Sequence, residues 1–117
     1  MMKTAIIPQV KQITVLEAPL VLSSFCLSQS VLDNFARAEE IFTDNHLCGK
    51  NPIRYVVEAM PEEAYKIRAR SGCIDVLASS SKGLMYGLFT LSELDFINDG
   101  NLYEFDAYDE PSLPFRA

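Results

Sequence analysis

The sequence has no tryptophan, one histidine and three cysteines in 117 residues. Without tryptophan it lacks the strongest aromatic platform of independent sugar-binding modules. Five tyrosines and seven phenylalanines remain, and most fall at core-facing positions of the elements assigned below. The histidine, His46, stands in the polar stretch TDNHLCG, with no second histidine and no cysteine or carboxylate at ligand spacing. Zinc needs three or four such ligands, so no metal is expected, and His46 is read as a helix-end residue. Cys26, Cys48 and Cys73 are odd in number and form no Cys-x-x-Cys pattern. That excludes a paired-thiol redox or zinc motif. They are expected to be buried free thiols, packing as small hydrophobes.

Basic charge is also scarce. Ten lysines and arginines face sixteen carboxylates, for a formal charge of −6. Nucleic acid and anionic membrane surfaces both select basic faces, so neither partner is expected. No run approaches the roughly 20 apolar residues of a membrane span. The opening MMKTAIIPQVKQITVLEAPL is interrupted by Pro8, Gln9, Lys11 and Gln12. It therefore lacks the continuous apolar core of a secretion signal. A cytoplasmic location is expected, or a secreted one if a leader was removed. Repeats and low-complexity tracts are missing. So are His-Glu-x-x-His, Gly-x-Ser-x-Gly and the glycine spacing of a phosphate loop. No cofactor is implied.

What is present suffices for one folded domain. Hydrophobic residues are 49% and charged residues 22% of the chain, far from a disordered composition. A chain of this length buries roughly two-thirds of its unfolded surface. QVKQITVLEAPLVLSSFCLS predicts two strands, about Lys11 to Glu17 and Leu20 to Leu27, divided by Pro19. Val31, Phe35, Ala38 and Phe42 then follow a helical period. Ser30 and Asp33 resemble a capping box, and Gly49 and Pro52 close that helix. IRYVVEAM reads as a central strand. Tyr65, Ile67 and Ala69 alternate with Lys66, Arg68 and Arg70, as in a half-exposed strand. Ser71-Gly72 turns the chain into a return strand bearing Ile74, Val76 and Ala78, with glycine free to take positive φ.

SSSKGLMYGLFTLSEL predicts a second helix, with Leu84, Leu88 and Leu91 as its stripe and Met85 and Phe89 widening it. It carries Gly83 and Gly87, each costing roughly 1 kcal/mol relative to alanine inside a helix. Close approach to the sheet or the first helix would offset that cost. On propensity alone, Gly87→Ala would be mild or even stabilising, whereas leucine there would overpack. A last strand, LYEFDAY, precedes an extended exit segment set by Pro111 and Pro114. The expected fold is α+β: a mostly antiparallel sheet of about five strands with two helices on one face. Residues 1–110 would form the domain and 111–117 a linker.

Few residues suggest chemistry. Ser79, Ser80 and Ser81 read as an N-cap and turn. Glu39-Glu40 sits on an outer helix face and Glu62-Glu63 opens a strand. Asp109-Glu110 is the one tempting pair, because glycoside hydrolysis uses two carboxylates, but it lies at a proline-flanked exit. Lys66, Arg68 and Arg70 form a basic stripe. It is either a solvated sheet face or a docking surface for an acidic partner.

The stretch EEAYKIRARSGCIDVLASSSKGLMYGLFTLSEL resembles the end of the non-catalytic domain that precedes the barrel in family 20 glycoside hydrolases, the β-N-acetylhexosaminidases. It is also similar to the pre-barrel domains of α-glucuronidases and O-GlcNAc hydrolases. Gly83, Leu84, Tyr86, Gly87, Thr90 and Leu91 carry the pattern Gly-Leu-x-Tyr-Gly-x-x-Thr-Leu. YDEPSLPFRA resembles the linker into the barrel, with Ala117 where glycine is usual. The likeness runs from about Glu63 to Arg116. It implies an accessory domain with a zincin-like layout and no metal site, packing on and stabilising a (β/α)8 barrel next to the glycine-bearing helix. The family's catalytic pair lies in that barrel, so the resemblance gives Asp109 and Glu110 no catalytic role and this chain no site residues. A free-standing glycan- or protein-binding module is the alternative. Exposed barrel-facing residues would make the isolated chain self-associate weakly, or leave its tail disordered from about Pro111 onward. Tyr108, Leu113 and Phe115, with Met85, Tyr86 and Phe89, are the expected contributors.

Overall fold

The computed structural model of the chain describes residues 11–42 and 47–110. Their strands form one six-stranded mixed sheet: β1 Gln12–Val21, β2 Phe25–Leu27, β3 Asn51–Val57, β4 Tyr65–Arg70, β5 Cys73–Ala78 and β6 Asn101–Asp109, in spatial order β1-β6-β4-β5-β3-β2. The pairs β1/β6, β6/β4 and β4/β5 are antiparallel. The pairs β5/β3 and β3/β2 are parallel. Two helices accompany the sheet, α1 Gln29–Asn34 and α2 Ser81–Ile97. The fold is therefore α+β.

The hairpin β4–β5 falls where alternation put it. Arg70 pairs with Cys73 across Ser71-Gly72. Among the described residues only Asp99 and Gly100 have positive φ, so Gly72 does not use that freedom. Tyr65, Ile67 and Ala69 are buried while Lys66 and Arg68 are exposed. Period-two alternation on a one-sided sheet produces this result.

Pro19 does not divide two strands. β1 runs through it as a sheet edge, and the register slips between Val15↔Phe105 and Pro19↔Tyr103. At an edge, beside an irregularity, the missing N–H of proline removes no necessary ladder bond. The predicted second strand shrinks to Phe25–Leu27 behind a 3-10 turn at Leu22–Ser24.

The first helix is also shorter than its apolar period suggested. It ends at Asn34, whose side-chain amide bonds back to the Ser30 carbonyl. A 3-10 segment, Ala38–Phe42, follows. Val31, Ala38 and Phe42 are still buried and Phe35 partly so. The predicted face is preserved on a broken element. The cap is Ser28 rather than Ser30. Ser30 Oγ instead meets Ser28 Oγ at 2.8 Å and accepts the Tyr55 N–H at 3.1 Å.

α2 packs on β4 and β5, with Leu84, Leu88, Leu91 and Leu94 fully buried. Its Ser80 cap accepts the Gly83 N–H and donates to the Glu62 carbonyl at 2.8 Å. The serine run thus ties the helix start to the preceding loop. A β-carbon on Gly83 would lie 2.4 Å from the Ala64 carbonyl oxygen and 2.9 Å from Ala78 Cβ. Close approach to the sheet accounts for both glycines.

The cysteines are free as expected, but none is fully buried. Cys26 and Cys73 are half-buried and Cys48 is exposed.

Candidate functional site

Two surfaces stand out, one on each side of the sheet. The first is the outer side of α2. Phe89 and Phe96 are seven residues apart, about two turns, so they share a helix face. They are 49% and 72% exposed. Met85 and Tyr86 lie half-buried beside them, so the predicted core stripe does not include Phe89. With the leucines buried on the opposite side, α2 carries apolar residues on two faces, the outer pair lying beside Lys82 and Glu93. The second phenylalanine could have been found in the sequence from its heptad spacing to Phe89. Val57, at 71% exposure, had no such signal.

The second surface is the open sheet face. Register places Arg54, Asp75, Arg68, Asp106 and Thr14 in one row across five strands. Arg54 Nε lies 2.8 Å from Asp75 Oδ1, and this bond holds the Asp75 carboxyl below its usual range. Arg70 lies 3.0–3.1 Å from the two oxygens of Asp106. Lys66 reaches Glu58 at 2.8 Å. The predicted basic stripe is therefore interleaved with carboxylates, Asp75 and Asp106 from neighbouring strands and Glu58 from the loop after β3. The two aspartates are distant in sequence from Arg54 and Arg70, and strand order brings them together.

The carboxylate pairs are dispersed. Glu40 is held by Arg37. Glu63 is buried and meets Lys82 at 3.0 Å. Asp109 is buried at the end of β6 and accepts the Lys11 backbone N–H at 3.1 Å. Burial raises its pKa above the ordinary value. Glu110 binds the Lys11 ammonium at 3.0 Å, which lowers its pKa. Neither lines the depression that lies on the open sheet face around Thr14, Lys66, Arg68 and Tyr108. No group of three or more metal-ligating side chains occurs among the described residues. None of the described helices is long and apolar enough to cross a membrane. His46, the exit segment 111–117 with Leu113 and Phe115, and residues 1–10 lie outside the described residues.

Solved structures share this fold. A β-N-acetylhexosaminidase from Bacteroides fragilis matches 92% of this chain with 16% identity and a TM-score of 0.67. A family 20 β-N-acetylglucosaminidase matches 89% at 22% identity and 0.69. CpGH84B matches 96% at 16% identity and 0.68. The chain has the fold of one region of these proteins. It spans 25%, 22% and 23% of their respective lengths. No known family profile matches the sequence, and no curated protein sequence matches it closely.

Proposed function

We propose that this chain is a non-catalytic accessory domain of a β-N-acetylhexosaminidase-like glycoside hydrolase, and that it packs through the outer side of α2 against the catalytic barrel and stabilises it. The observation that carries the proposal is the exposed pair Phe89 and Phe96 on a helix whose other side already fills the core. The same fold occupying about a quarter of hexosaminidase chains supports it. Interfaces between domains of one chain commonly bury roughly 600–1,500 Å², and an apolar helix face is a suitable centre for one.

Hydrogen exchange tests the proposal. Amides of residues 85–97 are compared between the 117-residue chain and a longer protein that continues it into a barrel. Slower exchange in the longer protein, reversed by Phe89→Asp with Phe96→Asp, is the expected result. Equal rates in both proteins would show that α2 is not the docking element.

A further inference from the structure

We propose that Asp99-Gly100 is a site of aspartate isomerisation and that the C-terminal turn of α2 gates it. Of the five glycines in the sequence, only Gly100 follows an aspartate or asparagine. Glycine has no β-carbon to keep its nitrogen away from the preceding carboxyl group. The Gly100 nitrogen can therefore attack Cγ of Asp99. A C–N bond forms, and the hydroxyl of the protonated carboxyl leaves as water with the amide proton. The product is a cyclic succinimide. Water then opens the ring at either carbonyl. One opening restores aspartate. The other routes the main chain through Cγ and gives isoaspartate. The two steps release and take up one water, so no oxidant, cofactor or second protein is needed.

The fold offers the carboxyl and withholds the nitrogen. Asp99 is exposed on the turn between α2 and β6. The Gly100 N–H donates to the Asp95 carbonyl at 3.0 Å and the Asp99 N–H to the Phe96 carbonyl at 3.3 Å. This pair of bonds is the Schellman closure of a helix, with Asp99 in the left-handed position that glycine usually takes. Its φ is 53°. Asn98 secures the same turn, because its side-chain amide donates to the Leu94 carbonyl at 2.8 Å. The Asn101 N–H returns to the Asn98 carbonyl at 3.0 Å.

An amide whose proton is held by a carbonyl is a poor nucleophile, so the reaction waits for the turn to open. Helix ends open locally at a lower cost than global unfolding. Left-handed backbone is less favourable for aspartate than for glycine, which lowers the cost further at Asp99. Isomerisation then prevents the turn from closing as before. Isoaspartate adds Cβ to the main chain and displaces Gly100 from the Asp95 carbonyl. The same turn sets the start of β6, where Asn101 pairs with Val21, so the lesion reaches the β1–β6 end of the sheet.

The test follows the 117-residue chain at physiological temperature and pH, folded and unfolded in guanidinium chloride. Chromatography with mass spectrometry separates aspartate and isoaspartate peptides of equal mass. In the unfolded chain, isoaspartate should accumulate faster at residue 99 than at any other aspartate. The folded chain should form it at least tenfold more slowly. Asn98→Ala should speed the folded reaction severalfold and leave the unfolded rate nearly unchanged. If that variant does not fold, the parent chain gives the second reading: hydrogen exchange at the Gly100 amide and isomerisation should rise together at low denaturant. Lack of isoaspartate at residue 99 in the unfolded chain, or equal rates folded and unfolded, would overturn the proposal. So would an Asn98→Ala variant that folds and reacts at the parent rate. A folded rate that follows global unfolding rather than Gly100 exchange would also overturn it, because the whole domain and not the turn would then be the gate.

Discussion

A β-carbon placed on Gly87 would sit 2.6 Å from Cγ1 of Val76 and 3.3 Å from the Tyr65 ring. Helix α2 therefore rests on β4 and β5 with no room for even a methyl group at this turn. Alanine would gain roughly 1 kcal/mol of helix propensity. The overlap with a β-branched side chain inside a strand costs about 1–3 kcal/mol and is the larger effect. Gly87→Ala is expected to destabilise the chain, against the reading from propensity alone, and Gly87→Leu more so. Gly83→Ala should be worse than Gly87→Ala, because its nearest neighbour is the Ala64 backbone carbonyl, which cannot rotate away. Urea melts of the three variants decide this. A raised midpoint for Gly87→Ala would contradict the packing account.

The same contact includes a polar pair. Tyr65 is buried, and its hydroxyl meets the Thr90 hydroxyl across the sheet–helix interface. Burial raises the Tyr65 pKa far above its ordinary value, so the phenol stays neutral. Tyr65→Phe should cost about 1 kcal/mol. Thr90→Val should cost at least as much, since it strands a buried hydroxyl. The double variant is expected to cost less than the sum of the two. Additive losses in a thermodynamic cycle would show that the hydroxyls do not depend on each other.

Asp109 and Asp75 should respond oppositely to pH. Burial raises the folded pKa of Asp109 above 3.8, so its ionised form costs stability above that folded value. The cost fades as pH falls through the folded pKa towards 3.8. Asp109→Asn keeps an oxygen for the Lys11 N–H. It should be at least as stable as the parent at pH 7, with the difference shrinking near pH 4. The Asp75 pKa is lowered, chiefly by its bond from Arg54. Its contribution is present above 3.8 and lost as pH falls through the lower folded value. Asp75→Asn should therefore destabilise at pH 7 and become neutral in acid. Urea midpoints across pH 3–7 test both signs. Matching slopes for the two variants would refute them.

The legible parts of the fold were local. The β4–β5 alternation, the serine cap and the Leu84, Leu88 and Leu91 stripe each follow from a period of two or 3.6 within a few residues. Pro19 misled because its effect depends on whether the strand is an edge, which is a property of sheet order. α1 misled because an apolar period records which side is buried and not whether the backbone stays helical. Val31, Ala38 and Phe42 reach the core on two separate elements. The open-face charge row was invisible because Arg54 and Asp75, or Arg68 and Asp106, are joined only by strand pairing. The exposed face of α2 is half legible: Phe89 both widens the predicted stripe and stands among the expected exposed residues, while Phe96 lies just beyond Leu94, where the predicted helix ends.

The outer face of α2 gives the last prediction, which concerns the chain by itself. Phe96 is 72% exposed and Phe89 49%, so replacing Phe96 removes few contacts and replacing Phe89 removes more. Phe96→Ser should leave the stability nearly unchanged, within about 0.5 kcal/mol as for most surface substitutions, and Phe89→Ser should cost more than that without unfolding the chain. Together they should reduce weak self-association, because a contiguous apolar patch is a usual cause of it. Val57→Ser is the control: an apolar residue as exposed as Phe96, on β3 rather than on this helix. Sedimentation at several concentrations separates the cases. If the chain associates and only Val57→Ser abolishes association, the contact runs through β3. If the phenylalanine variants unfold the chain, their rings belong to the core and the docking face lies elsewhere.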